Sequence, residues 1–340
     1  MLSRSVKVAA VQAEPVWGDM DGGIAKCVGL IEEAAGEGAE IVGFPETFVP
    51  GYPWHIWLDS PAANMGHVPG YIANSLTVDG PQLQRIADAA AANEITVMLG
   101  YSQRIGGSLY MSQATFSPDG VFVQNRNKLK PTHVERTVFG EGDGSDLDVV
   151  EMPYGNIGSL CCWEHLQPLS KYAMYSMNED IHCAAWPSFS LYKGAANALG
   201  AEVNNAASLM YAVEGSNFVI APCGVIGEAA QAFFCDTDAK KQMLQVGGGF
   251  AKIYGPDGTS LADPLPEDAE GILYAVCEPA LQAISKSVAD PTGHYSRPDV
   301  TSLLFNRSAQ PRVTDRHRVE PHDIVDAGSA VAGEQGETEQ

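Results

Sequence analysis

The sequence lacks the short motifs that hold metal ions and phosphate groups. It contains no Cys-x-x-Cys pair and no His-x-x-x-His pair, the spacings typical of zinc sites. Residues 247–249 are three consecutive glycines, but neither a GxGxxG nor a GxxxxGK[ST] pattern surrounds them. We therefore predict that the protein has no metal site and uses no organic cofactor.

Positive charge is scarce. The 340 residues include 20 Lys and Arg against 42 Asp and Glu, which gives a formal net charge of −22. A surface this acidic repels phosphate backbones, so the composition argues against a nucleic-acid partner.

Long apolar runs and a disulfide framework are absent as well. No run approaches the roughly 18 apolar residues that span a membrane, and residues 1–12 lack the apolar core of a secretory signal. The seven cysteines are odd in number and scattered along a chain too long to need disulfide staples. We expect free thiols in a cytoplasmic protein without a membrane partner.

The chain does contain alternating strand and helix patterns. Apolar, β-branched runs predict buried strands at residues 6–12, 40–44, 95–101, 157–160, 181–187 and 217–222, and helical spacing marks residues 24–36, 81–93, 169–177 and 197–213. This order predicts an α/β sandwich with helices outside and strands inside.

The segment between the second strand and the second helix has a different character. Residues 48–58 are too rich in aromatics and proline to form a regular element, so we expect them to form a pocket wall. No linker interrupts the pattern, which predicts one domain over residues 1–307. In residues 308–340 Gly, Ala, Ser and Glu dominate, which predicts a disordered acidic tail.

Three predicted strands lead into reactive side chains. The strand at residues 40–44 leads to Glu46, the strand at 157–160 leads to Cys162, and the second strand of a predicted hairpin (residues 109–116 and 121–125) leads to Lys128. Strand ends in α/β folds gather at one edge of a sheet, where clefts form. A carboxylate can take the thiol proton, and an ammonium group can stabilise charge that develops on an electrophile. Each residue taken alone has an ordinary explanation, as a solvated surface charge or as a packed cysteine, and spacing does not prove that they meet.

Two adjacent cysteines, Cys161 and Cys162, stand where the strand pattern changes to a turn and a helix. Neighbouring residues on a strand point to opposite faces, so only one sulfur can reach the cleft. The helical N–H groups that follow would favour a thiolate at this position.

Four segments resemble motifs of the nitrilases, in the carbon–nitrogen hydrolase superfamily. They are FPETFVPGYP at residues 44–53, RNKLKPTHVER at 126–136, CWEHLQP at 162–168 and GHYSRPD at 293–299. The resemblance extends from residue 5 to about residue 305 and implies an α-β-β-α sandwich. The second and third blocks favour the nitrile-hydrolysing branch, and the whole chain resembles aromatic nitrilases of actinobacteria.

The resemblance also implies roles for individual residues. Cys162 would be the nucleophile, Glu46 the general base and Lys128 the stabilising cation, with Glu135 orienting Lys128 or a water. Lys128 and Lys130 lie on the same side of an extended strand, so periodicity leaves both open and only the motif selects Lys128. The reaction would pass through a thioimidate and a thioester to a carboxylic acid and ammonia.

The same resemblance suggests a substrate and an assembly. An aromatic pocket suits aromatic or arylaliphatic nitriles; a cyanide dihydratase, or an amidase or carbamoylase of the same superfamily, is the alternative. Residues adjoining the motifs are expected to line the pocket: Tyr52, Trp54, Thr132, Trp163, Trp186, Pro187 and Ser190. Core packing is the competing explanation for each of them. Family resemblance implies a homo-oligomer built from dimers, extending to spirals or filaments, with residues 59–67 and 237–249 as further contacts.

Overall fold

The structure, a computed structural model, describes residues 1–313. The strands are β1 (Val6–Ala13), β2 (Ile41–Gly43), β3 (Thr96–Ile105), β4 (Ser108–Phe116), β5 (Phe122–Asn127), β6 (Val149–Met152), β7 (Gly155–Cys161), β8 (Ile181–Ala185), β9 (Phe218–Ala221), β10 (Cys223–Gly224), β11 (Lys252–Tyr254) and β12 (Gly271–Cys277). The helices are α1 (Met20–Gly36), α2 (His55–Leu58), α3 (Pro61–Asn64), α4 (Val68–Ala73), α5 (Pro81–Ala92), α6 (Pro168–Ser176), α7 (Ala201–Gly215), α8 (Glu228–Phe234), α9 (Asp238–Met243) and α10 (Pro279–Val288).

The strands form two sheets. The first has the order β10-β1-β2-β3-β4-β5, with β12 also paired to β1, and the second has the order β11-β9-β8-β7-β6. Strands β1, β2 and β3 are parallel to one another, as are β7, β8 and β9. Their carboxyl ends therefore lie at common edges, which is where the predicted reactive residues follow.

Alternation along β1 shows how the layers stack. Val8 and Ala10 join a buried cluster with residues of the second sheet, whereas Ala9 and Val11 join a cluster with residues of α1 and α5. The period of two thus places one face of the first sheet against the second sheet and the other against helices. On the far side, Tyr211 of α7 stacks on the imidazole of β8 residue His182 at 3.8 Å. The predicted α-β-β-α sandwich is confirmed.

One predicted region differs. Residues 48–58, expected to lack any regular element, include the short helix α2 at His55–Leu58. The helix begins directly after the Pro53–Trp54 turn, because proline cannot continue a helix but readily precedes one. The indoles of Trp54 and Trp57 still form part of the pocket wall.

The compact unit that contains these elements runs from Met1 to Arg307. Most of the predicted tail, residues 314–340, lies outside the described residues. Within residues 1–313, no helix is both long enough and apolar enough to cross a bilayer.

Candidate active site

Glu46 lies just beyond β2, on a turn that packs tightly against β3. The backbone N–H groups of Phe44 and Phe48 donate to the carbonyls of Met98 and Gly100, at 2.9 and 2.8 Å. A Cβ added to Gly100 would lie 2.1 Å from the carbonyl oxygen of Pro45, so only glycine allows this approach. The turn thereby fixes the backbone of Glu46, whose side chain is almost completely buried.

Lys128 follows β5 and is completely buried between two carboxylates. Its Nζ donates to Glu46 Oε1 at 2.9 Å and to Glu135 Oε2 at 2.8 Å. By contrast, the neighbouring Lys130 is exposed and pairs with Glu141 at the surface. The structure therefore brings Lys128, and not Lys130, to Glu46.

Glu135 belongs to a 3₁₀ helix at His133–Thr137 and is held by several donors. The Thr132 backbone N–H donates to its Oε2 at 2.6 Å, and the Tyr52 hydroxyl donates to its Oε1 at 2.8 Å. Trp57 Nε1 donates in turn to the Tyr52 hydroxyl at 2.9 Å. Both oxygens of Glu135 are thus occupied, whereas Glu46 Oε2 is buried without a hydrogen-bond partner.

Burial sets the ionisation of this group of residues. Desolvation raises the pKa of Glu46 to about 8, with Glu135 adding to the effect and Lys128 opposing it. Burial disfavours the charged form of Lys128, but the carboxylates of Glu135 and Glu46 outweigh it and raise the lysine pKa well above its ordinary value. Lys128 therefore stays a cation, and Glu46 can gain or lose a proton near neutral pH.

Cys162 directly follows β7 and begins a 3₁₀ helix at Cys162–Leu166. Its φ of 47° lies in the left-handed region, which is unusual for a residue with a side chain and typical of sharp functional turns. Burial, together with Glu46, raises the pKa of its thiol well above the ordinary value, although Lys128 and the Trp163 N–H oppose this. The Trp163 N–H thus favours a thiolate, in the direction expected of an amide at this turn, but desolvation outweighs it.

Cys161 has different surroundings. Its sulfur lies 4.0 Å from Arg126 Nη1, and Arg126 forms a buried two-point pair with Glu164 at 3.0 and 2.7 Å. Glu164 also accepts from the backbone N–H of Cys161 at 2.7 Å and of Leu129 at 2.9 Å. This carboxylate, which the sequence interpretation did not single out, joins the segment bearing Lys128 to the segment bearing Cys162.

A pocket with about 410 Å³ of empty space opens above Cys162. Five predicted residues, together with Glu135, are among its lining: Tyr52, Trp54, Thr132, Trp163 and Pro187. Trp186 and Ser190 are not, which corrects that prediction. Both are completely buried behind the wall, where Trp186 Nε1 donates to Ser208 at 2.8 Å.

Other lining residues were missed, and most lie far from the motifs in sequence. They are Ser188, Phe189, Leu191, Leu199 and Asn204. Asn204 Oδ1 accepts from Trp163 Nε1 at 3.0 Å and so fixes that indole. Trp57 also lines the pocket, in agreement with the prediction that residues 48–58 form a pocket wall. Within the described part of the chain, no three His, Cys, Asp or Glu side chains are arranged to hold a metal ion.

Comparisons with known proteins agree with this site. The carbon–nitrogen hydrolase family matches residues 7–284. The chain is 55% identical to a nitrilase of Pseudomonas syringae pv. syringae over 92% of this chain and 94% of that protein. It is 53% identical to an aliphatic nitrilase of Rhodococcus rhodochrous, covering 90% and 84% of the two chains. It is 47% identical to an arylacetone-specific nitrilase of Alcaligenes faecalis, covering 92% and 88%.

Solved structures share the fold at much lower identity. A carbon–nitrogen hydrolase from Helicobacter pylori G27 matches with a TM-score of 0.68 at 18% identity, covering 87% of this chain and 96% of that one. Nit3 of Saccharomyces cerevisiae, a member of the nitrilase superfamily, matches with a TM-score of 0.67 at 17% identity, covering 86% and 97%. The chain therefore belongs to the nitrilases of the carbon–nitrogen hydrolase family, as its four motifs predict.

Proposed function

We propose that the protein hydrolyses organic nitriles to carboxylic acids and ammonia, with Cys162 as nucleophile, Glu46 as general base and Lys128 as stabilising cation. One observation carries the proposal. The thiol of Cys162 lies in an aromatic pocket, and the charges of Glu46, Lys128 and Glu135 all act on its pKa. A base, a cation and a nucleophile are thus close together in a buried site.

In the first half-reaction Glu46 takes the thiol proton as sulfur attacks the nitrile carbon. Its Oε2, which lacks a hydrogen-bond partner, is the available oxygen. Negative charge develops on the nitrile nitrogen and is stabilised there by Lys128 and the Trp163 N–H. Glu46 then transfers its proton to this nitrogen. The product is a thioimidate, with a new C–S bond and a C=N–H group.

In the second half-reaction a water adds to the thioimidate carbon, and Glu46 passes one of the water's protons to the nitrogen. When the tetrahedral intermediate collapses, the remaining hydroxyl proton passes to the same nitrogen, the C–N bond breaks and ammonia leaves. A second water then attacks the resulting thioester and releases the acid and the Cys162 thiol. If the first tetrahedral intermediate expels sulfur in place of nitrogen, an amide forms. Glu135 acts by holding Lys128, through the 2.8 Å bond between them.

We propose aromatic or arylaliphatic nitriles as the substrate class. Indole, phenol and benzyl side chains make up much of the pocket wall, and a planar ring packs well against such surfaces. Relatives are described as aliphatic and as arylacetone-specific nitrilases, so both side-chain types occur among them.

We propose further that the protein is a cytoplasmic homo-oligomer. Leu281, Ile284 and Val288 form an exposed apolar stripe on α10, a surface that a second subunit could cover. The two other candidate contact segments adjoin each other, because Lys240 Nζ lies 2.7 Å from Asp59 Oδ1. All seven cysteines are free thiols, which suits a reducing compartment. The hydrolase domain would be residues 1–307.

Trapping the covalent intermediate tests the mechanism. The wild-type protein, mixed with benzonitrile, phenylacetonitrile and a short aliphatic nitrile, is quenched in acid and its intact mass is measured. We expect an adduct on Cys162 and release of acid and ammonia. Cys162→Ala should give neither, and the matched Cys161→Ala variant should keep both. An active wild-type protein without an adduct on any nitrile would refute covalent catalysis.

The same panel tests the substrate class. Benzamide and inorganic cyanide are added, and ammonia and organic products are quantified for each compound. Rapid turnover of benzamide with no turnover of nitriles would identify an amidase. Turnover of cyanide alone would identify a cyanide dihydratase.

A further inference from the structure

A buried chain of hydrogen bonds ends at the backbone carbonyl of Cys162. His165 Nδ1 lies 2.7 Å from that oxygen, and His165 Nε2 lies 2.9 Å from His182 Nε2. His182 Nδ1 lies 2.6 Å from Glu179 Oε1. All three side chains are at most 1% exposed, and the catalytic steps above use none of them.

The chemistry of the last acceptor determines where the protons lie. A carbonyl oxygen carries no proton, so His165 Nδ1 must be the donor. In a neutral imidazole the other nitrogen is then an acceptor, and His182 Nε2 must donate to His165 Nε2. His182 Nδ1 is thereby left as a lone pair facing Glu179 Oε1, so the proton of that 2.6 Å bond must come from the carboxyl group.

The surroundings of Glu179 fit a neutral carboxylic acid. Its Oε2 accepts from the Tyr211 hydroxyl at 2.7 Å and from Asn217 Nδ2 at 3.1 Å, which leaves Oε1 for the proton. A Cβ at Gly158 would lie 2.1 Å from Oε1, so the glycine makes room for this carboxyl. Burial raises the pKa of Glu179 to about 8.

The histidines are equally unsuited to carry a charge. Burial lowers the pKa of both imidazoles well below the ordinary value, and the Arg126 guanidinium lowers that of His182 further, against a smaller effect of Glu164. Tyr211 stacks on His182, and Trp186 stacks on His165 with ring centroids 5.2 Å apart. An imidazolium–carboxylate pair here would have to overcome the desolvation of two ions.

We propose that Glu179, His182 and His165 form a positioning relay, in which one proton on Glu179 fixes both imidazole tautomers and holds the peptide group between Cys162 and Trp163. The proposal rests on the function proposed above. That peptide is engaged on both sides, because its oxygen accepts from His165 and its N–H acts on the Cys162 sulfur, where it lowers the pKa of the thiol. Donation to the oxygen polarises the amide and strengthens its N–H as a donor.

The expected effect is on the chemical step. The Trp163 N–H would stabilise negative charge on sulfur and on the nitrile nitrogen, and removing one such donor typically costs about 100-fold to 1,000-fold in kcat. Breaking the relay weakens that donor without removing it, so we expect a loss of about tenfold in kcat. Because the relay touches no pocket surface, KM should change little.

Nitrogen-15 solid-state NMR of the full-length protein tests the proton positions directly. The signals of His165 and His182 are assigned by comparing wild type with His165→Gln and His182→Gln. We expect a protonated Nδ1 on His165 and a protonated Nε2 on His182, with the other nitrogen of each ring bare. A proton on His165 Nε2, or a doubly protonated His182, would overturn the proposal.

Two substitutions at Glu179 supply the kinetic test. Glu179→Gln replaces the acid O–H by an amide N–H that can still donate to His182, so both tautomers should persist, with kcat within about threefold of wild type. Glu179→Leu offers no donor and should lower kcat about tenfold with little change in KM. Equal losses in the two folded variants would contradict the proposal. If Glu179→Leu does not fold, the wild-type and Glu179→Gln spectra still decide it.

Failure of the relay and failure of the proposed function give different results. A wild-type protein that turns over no nitrile but shows the expected tautomers would refute the nitrile-hydrolysing function and leave the proton assignment standing. A wild-type protein that forms the Cys162 adduct but shows His165 protonated at Nε2 would refute the relay alone.

Discussion

At the scale of single residues, Glu46 is distinguished by an elevated pKa in the folded protein. Its ordinary value of 4.5 rises to about 8 on burial. The folded protein therefore holds a proton in a pH range where the unfolded chain has released it. The resulting stabilisation is fully present below about pH 4.5 and is lost as pH rises through about 8.

This linkage predicts how Glu46→Gln changes stability with pH. The amide does not titrate, so the free energy of unfolding of wild type should fall relative to the variant as pH rises from 5 to 9. We expect a change on the order of 3 kcal/mol, measured by urea denaturation at both pH values. Glu179 titrates similarly in both proteins and cancels in the difference. A pH-independent difference would show that Glu46 is already ionised at pH 5.

The sequence identifies the residues of the site better than it identifies their protonation states. Glu46, Lys128 and Cys162 each follow a strand, and the ends of parallel strands gather at the sheet edges where clefts form. The protonation of the thiol could not be read in the same way. It depends on desolvation by residues from several distant segments, which no local pattern records.

At the scale of elements, the contact between β3 and the Glu46 turn depends on Gly100. Gly100→Ala places a methyl group against the Pro45 carbonyl, and the turn must move. We expect a loss of about 2 kcal/mol in the free energy of unfolding and a lower kcat. Gly107 is the control, because an added methyl group there would meet no heavy atom within 4 Å, and Gly107→Ala should change little. Equal effects in both variants would contradict the close-packing argument.

The Arg126–Glu164 pair joins β5 to the turn after β7. Glu164→Gln leaves a buried guanidinium without its counter-charge, and we expect a loss of about 3–5 kcal/mol in the free energy of unfolding. As a control, Glu267→Gln removes an exposed partner of Lys193 and should cost less than about 1 kcal/mol. Denaturant titrations of the two variants compare these effects. A small loss for Glu164→Gln would mean that water reaches Arg126.

Strands and turns were easier to predict from the sequence than the contacts between them. The strand at residues 181–187 was readable, and so was the turn after Cys161, because apolar runs and proline have local signatures. The contact between His165 and His182 could not be predicted from the sequence, because a histidine in a buried strand gives the same pattern whether its ring only packs or also forms a hydrogen bond. Trp186 was misplaced for a related reason: adjacency to Pro187 in sequence does not decide which face of the strand end it occupies.

At the scale of the whole molecule, the apolar stripe on α10 predicts assembly. Ile284→Glu should shift the sedimentation coefficient toward smaller species, because it places a charge in a surface that excludes water when covered. Gln84→Glu on α5 adds the same charge on another exposed surface and should leave the distribution unchanged. Monomeric wild type, or an unchanged distribution for Ile284→Glu, would show that this stripe is not an interface.

The two carboxylates around Lys128 have a consequence for turnover. Above about pH 8, where Glu46 is ionised, one cation and two anions leave the inner site with a net negative charge. A neutral nitrile is not repelled by that negative charge. A newly formed carboxylate is repelled both by it and by the acidic surface outside the site. The charges around Lys128 thus favour release of the carboxylate product. We therefore expect a carboxylic acid product to inhibit nitrile hydrolysis far more weakly than the amide of the same side chain.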